Sequence, residues 1–92
     1  MTTNSWDEAR KCYLTSLRAK LKKAYADEAT KKSTPDRRWL NGFMAAGFHS
    51  GLVTLKDLKF ENMTAFRKTT GSKMNERLEM QLERRLAGLC KP

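Results

Sequence analysis

The chain has 92 residues, 39% of them hydrophobic, and its 19 Lys and Arg against ten Asp and Glu leave a formal net charge of +9. This length excludes two independent cores, because each half would bury too little apolar surface to hold itself together, and two Trp, four Phe and two Tyr argue against a disordered chain. The charge disfavours basic partners and favours polyanions, of which the phosphate backbone of DNA or RNA is the commonest.

The segment Ser5-Trp6-Asp7-Glu8 opens the first predicted helix. Ser5 offers a capping hydroxyl, Glu8 three residues later completes a capping box, and two carboxylates stand near the positive end of the helix dipole. Trp6, Ala9, Tyr13, Leu17, Leu21 and Ala24 then recur at steps of three and four, the spacing of one helical face, until the polar run Thr30 to Thr34. The pattern predicts a helix over 6–30.

Thr34-Pro35-Asp36 signals a second start, since Pro loses nothing in a first helical turn and Thr34 can cap it. Trp39, Leu40, Phe43 and Met44 give this helix, over 35–49, an apolar face, and Gly51 after Ser50 can take the left-handed conformation that closes it. Thr54 with Asp57 three residues on is another cap, and Leu55, Leu58, Met63 and Phe66 form a loose face over 54–69 that ends near Thr69-Thr70-Gly71. Val53-Thr54-Leu55 and Leu58-Lys59-Phe60 also alternate like short strands, so a small β-hairpin over 52–60 is the alternative. Ser72 is the expected cap of a last helix over 72–89, where Met74, Leu78, Leu82, Leu86 and Leu89 share a face and Glu76, Arg77, Glu79, Glu83, Arg84 and Arg85 take other positions. The expectation is a mostly α, compact bundle of about four helices forming a single domain over 1–92, with flexible ends at 1–4 and 90–92.

Cys12 and Cys90 stand near opposite ends with no C-x-x-C, and His49 is the only His, so no zinc or redox motif is visible and a reduced, cytoplasmic setting is expected. No apolar stretch suits secretion or a membrane span. Catalysis has no visible base–nucleophile pair, and His49 reads as a helix-end residue rather than a general base. Neither an enzyme, a cofactor nor a small-molecule substrate is expected.

Three basic clusters are the candidate binding residues for nucleic acid or another polyanion. Between Ala9 and Ala26 six cations occur without one acid, and Lys11, Thr15, Arg18 and Lys22 fall on one narrow stripe directed away from the apolar face, able to follow a phosphate backbone over three turns. Lys31, Lys32, Arg37 and Arg38 surround the Pro35 helix start, where backbone amides add neutral donors for an anion. Arg67, Lys68 and Lys73 join three hydroxyls and Gly71 just before the last predicted helix, a recipe for phosphate capture that nevertheless lacks the Walker A order. Trp39, Phe43 and Phe48 have the spacing of core packing more than of base-stacking platforms. A helix-turn-helix over Ala46 to Phe60 fits poorly, because Ser50 and Asp57 fall where buried apolar residues are wanted. A ribbon-helix-helix with a strand before Met74 fails at Gly71.

The leading expectation is therefore backbone-dominated binding of DNA or RNA with little base readout. The alternative is an interaction protein, of the phage or plasmid anti-defence kind, whose basic surface docks on an acidic protein or a guide-RNA ribonucleoprotein, with Arg37 and Arg38 as its sensitive contacts. Oligomeric state is not legible in the chain.

Overall fold

A computed structural model describes the backbone of residues 5–30 and 37–90, and the side chains of these except 29, 30, 37 and 38. Four helices follow in order: α1 (Ser5–Thr30), α2 (Arg37–His49), α3 (Leu55–Thr70) and α4 (Glu76–Leu89). The described residues contain no strand, and 86% of them are helical. The expected flexible ends, apart from Cys90, and the Thr34-Pro35 start lie outside the described residues.

Local chemistry sets the boundaries. Gly51 at φ 82° turns the chain out of α2, and the backbone N–H groups of Leu52 and Val53 donate to the Gly47 carbonyl at 3.0 and 3.3 Å. Thr54 then caps α3 as expected: its hydroxyl accepts from the Asp57 N–H at 3.1 Å while the Asp57 carboxylate accepts from the Thr54 N–H at 3.0 Å. That backbone hydrogen bond, helped by Arg10 at 3.4 Å, holds the Asp57 carboxyl below its ordinary pKa. The capping box, with Leu58 and Ala65 buried on the helix it starts, decides against the hairpin over 52–60.

The start of α4 departs from expectation. Gly71 at φ 77° closes α3 with its N–H donating to the Arg67 carbonyl at 2.8 Å, and Ser72 donates its own N–H to the Thr70 hydroxyl at 3.2 Å. Ser72 therefore belongs to the turn that leaves α3. Asn75 is the true cap, accepting from the Leu78 N–H at 2.9 Å, and α4 begins at Glu76.

Helix α1 is flanked by α2 and α3. Trp6 approaches Gly51, the Tyr13 ring stacks on Phe43 at 4.6 Å, and Lys20 lies over Trp39, an order that makes α1 and α2 antiparallel. Arg10 meets Asp57, Arg18 meets Glu61 and Tyr25 meets Phe66, so α1 and α3 run in the same direction. Helix α4 returns along α3, with Lys59 bridging Glu79 and Glu83 at 2.9 and 2.6 Å. His49 Nε2 lies 2.9 Å from the Leu89 carbonyl oxygen and ties the end of α2 to the end of α4.

Leu17, Leu21, Met44 and Leu58 are fully buried at the centre of one core that also takes in Leu14, Tyr25, Leu40, Val53, Leu82 and Leu86. The buried side of α1 is turned from the expected face, with Leu14 and Tyr25 inside and Trp6 and Ala9 exposed. Gly47 is required by packing, because a Cβ there would overlap the Tyr13 ring. That ring is fixed by its stack on Phe43 and by a 2.8 Å hydrogen bond to the Phe43 carbonyl, and burial pushes the phenol up to about 12.

One polar residue is built into this core. Buried Asn62 accepts from the Tyr25 hydroxyl at 2.9 Å and donates to the Leu58 carbonyl at 2.7 Å. Tyr25→Phe removes the donor and leaves a buried amide oxygen to be satisfied, so it should lower the unfolding free energy by about 1–3 kcal/mol. Urea denaturation measures this, and a loss under about 0.3 kcal/mol would mean that the hydrogen bond carries no weight.

Candidate functional site

Helix direction brings the basic residues of α1 and α3 to one place. Arg18 follows fully buried Leu17 by one residue, about 100° round the helix, so the Lys11–Arg18–Lys22 stripe lies beside the core face instead of opposite it. Because α3 packs along that flank in the same direction as α1, the last turn of α3 comes level with Lys22. The result is a groove of about 350 Å³ lined by Arg18, Ala19 and Lys22 from α1 and by Glu61, Thr64, Ala65 and Lys68 from α3.

The floor of the groove is an ion pair. Arg18 donates from Nε to Glu61 Oε2 at 2.9 Å and from Nη2 to Oε1 at 2.9 Å, a two-pronged arrangement that suits the planar guanidinium. The Glu61 carboxylate is 6% exposed and the Arg18 side chain 59%. Hydrogen bonding to Glu61, then its charge, pushes the Arg18 pKa further up. Arg18 is thus partly committed to the fold, and the rest of its fork faces solvent. Arg18→Gln should lower stability by about 1–2 kcal/mol, the low end for unpairing a buried carboxylate because the arginine end is screened by water. Chemical denaturation decides it: an unchanged midpoint would free Arg18 from any structural role.

Lys11, Lys22, Arg67 and Lys68 are exposed, and none of them has a carboxylate partner among the described residues. Lys11 extends the α1 line by roughly 10 Å beyond Arg18 at 1.5 Å per residue. Arg67 and Lys68 occupy the last turn of α3, where the helix dipole favours cations. Lys73 is exposed in the loop before α4 and does not line the groove. Lys31 and Lys32 lie outside the described residues, as do the side chains of Arg37 and Arg38.

The 67–73 segment is not the helix N-terminal cradle its sequence suggested. It straddles the C-terminal end of α3, the Thr70 hydroxyl donates to the Phe66 carbonyl at 2.8 Å, and the first turn of α4 carries Glu76 and Glu79. An acidic first turn already complements that dipole and repels an anion.

Of the α2 aromatics, Phe43 and Phe48 pack against the core, whereas Trp39, expected there too, stays 55% exposed. Phe43 is stacked between Tyr13 and Trp39, whose ring centroid is 5.9 Å away, and Lys20 Nζ stands 4.6 Å over the Trp39 ring. Sequence periodicity missed two features of α3: the buried acid Glu61, and Phe60, the most exposed large hydrophobic side chain at 66%. The signal for Phe60 was present in its spacing, since it lies about 200° round the helix from fully buried Leu58.

Among the described residues, no group of three His, Cys, Asp or Glu side chains is placed to hold a metal ion, and no helix is long and apolar enough to cross a membrane. No protein-family model matches the chain, and no curated protein or solved structure matches it significantly.

Proposed function

We propose that this protein binds DNA or RNA mainly through the phosphate backbone. The contacts run along Lys11, Arg18 and Lys22 of α1 and onto Arg67 and Lys68 at the end of α3. The observation that supports this function is the shared groove: parallel packing brings Arg18, Lys22 and Lys68 around one depression whose only lining carboxylate among the described residues, Glu61, is already paired. Of the other acids of α3 and α4, Asp57 is held by Arg10 and the α3 cap, and Lys59 is shared between Glu79 and Glu83, offsetting one of their two charges. Exposed Lys73 adds to the basic surface.

Such binding works by releasing condensed counterions from phosphates, and the protein needs no cofactor, metal or catalytic group to do it. The exposed thiols of Cys12 and Cys90 are unpaired, which suits a reduced, cytoplasmic compartment. The test is fluorescence-anisotropy titration of labelled duplex DNA, single-stranded DNA and RNA at several salt concentrations. Micromolar or tighter binding that weakens steeply with salt is expected. Absence of binding at low salt would reassign the basic surface to an acidic protein or a ribonucleoprotein.

A further inference from the structure

The outer face of α3 carries an aromatic side chain that the fold does not use. Phe60 is 66% exposed, lies outside the hydrophobic cluster, and stacks on no other ring among the described residues. Exposure of a whole benzyl group is unfavourable in water, and nothing in the packing of α3 compels it, since Leu58, Glu61, Asn62 and Ala65 fill the buried side. Its charged neighbours along the outer face are mainly cations, the acid one turn before it, Asp57, being held by Arg10 and the α3 cap. Exposed Lys56 stands one turn before it, and exposed Arg67 and Lys68 stand two turns after it. Thr64, one turn along, lines the groove that holds Arg18 and Lys22.

We propose that Phe60 is a base-stacking platform and that the nucleic acid this protein prefers is single-stranded. The phosphates of the strand follow Lys22, Arg67 and Lys68, and one unstacked base lies on the Phe60 ring. The chemistry follows from the juxtaposition: a duplex hides the faces of its bases, whereas a single strand offers a π-face at every nucleotide to an aromatic ring set beside a basic track. From Phe60 to Lys68 the helix rises roughly 12 Å, within reach of neighbouring nucleotides of one strand. An acidic peptide would also meet the cations but does not offer an aromatic face at every unit of its backbone, as a single strand does. The charge around Phe60 therefore favours nucleic acid as the occupant.

This specificity rests on the phosphate-binding function above, and one set of titrations separates the two. Phe60→Ala, Phe60→Leu and Phe60→Tyr are compared with the unaltered protein on a labelled thymine oligonucleotide, a uracil oligonucleotide and a DNA duplex, after circular dichroism shows that each variant melts like the parent. The expected results are tighter binding of single strands than of duplex by the parent, a loss of about fivefold or more on single strands for the Ala and Leu variants, near-parental affinity for the Tyr variant, and duplex affinity unchanged within about twofold. The salt slope stays the same, because no charge has been removed. Equal losses on duplex and single strand, or no loss on either, would overturn the stacking role while leaving phosphate binding in place. A parent protein that binds none of the three at low salt overturns both.

Discussion

Leu17→Ala should lower the unfolding free energy by about 2–5 kcal/mol, a large share of the roughly 5–14 kcal/mol expected for a chain of this size. Leu17 has no exposed surface and sits on a helix that packs against both α2 and α3. Truncation removes buried methyl groups and opens a void where those neighbours meet, and helix ends fixed by caps and salt bridges limit how far the void can collapse. The melting temperature should fall by at least about 10 °C, at 4–8 °C for each kcal/mol in a domain this small. Ala9→Ser on the exposed side of the same helix should change it by less than about 0.5 kcal/mol. Urea titrations of both variants check the assignment. Comparable losses would mean that the buried side of α1 is not the one described.

The double substitution Lys22→Gln, Lys68→Gln should weaken nucleic-acid binding about a hundredfold at low salt without unfolding the protein. Each cation that neutralises a phosphate contributes roughly tenfold near 50 mM salt, and on a single strand the slope of log affinity against log salt should become shallower by about 1.4, at about 0.7 per phosphate contact. Both residues are exposed, and neither pairs with an acid among the described residues, so the described fold does not depend on their charge. Arg18 is the wrong residue for this purpose, because its removal also unpairs Glu61 and mixes a stability effect into the binding result. Anisotropy titration at matched salt gives the answer, and an unchanged slope would remove the groove from the interface.

Much of the fold is legible in the sequence. Four helices, the Thr54–Asp57 capping box and the glycine turns at Gly51 and Gly71 all follow from local chemistry that acts within a few residues. The start of α4 was misplaced for a reason of the same kind: Ser72 and Asn75 both cap well in isolation, but the Gly71 turn consumes Ser72. The buried side of α1 was harder to place. Its hydrophobic stripe is broad, with Leu14 and Tyr25 competing against Trp6 and Ala9, and only the neighbours choose among them.

The candidate site was half visible. The acid-free cations of α1 and the pair Arg67 and Lys68 stand out in the chain, but sequence has no means of saying that α3 lies parallel to α1 and so closes a groove between them. Long-range pairing also explains Arg18, which looks like any other member of its stripe until Glu61, 43 positions away, takes up its guanidinium. Phe60 falls outside the predicted apolar face of α3 and takes a role only in the alternative hairpin, where alternation with Leu58 fits a period of two; the helix turns the same spacing into opposite faces.

The most direct test of the central claim is the affinity of the purified protein for a labelled single-stranded oligonucleotide at 50 and 200 mM salt. If Lys11, Lys22, Arg67 and Lys68 each meet a phosphate, affinity should drop by roughly 50-fold over that interval, from a slope of about −0.7 per phosphate contact. A measurable affinity that stays flat across that range, or no binding at 50 mM, would contradict phosphate-directed binding by this groove.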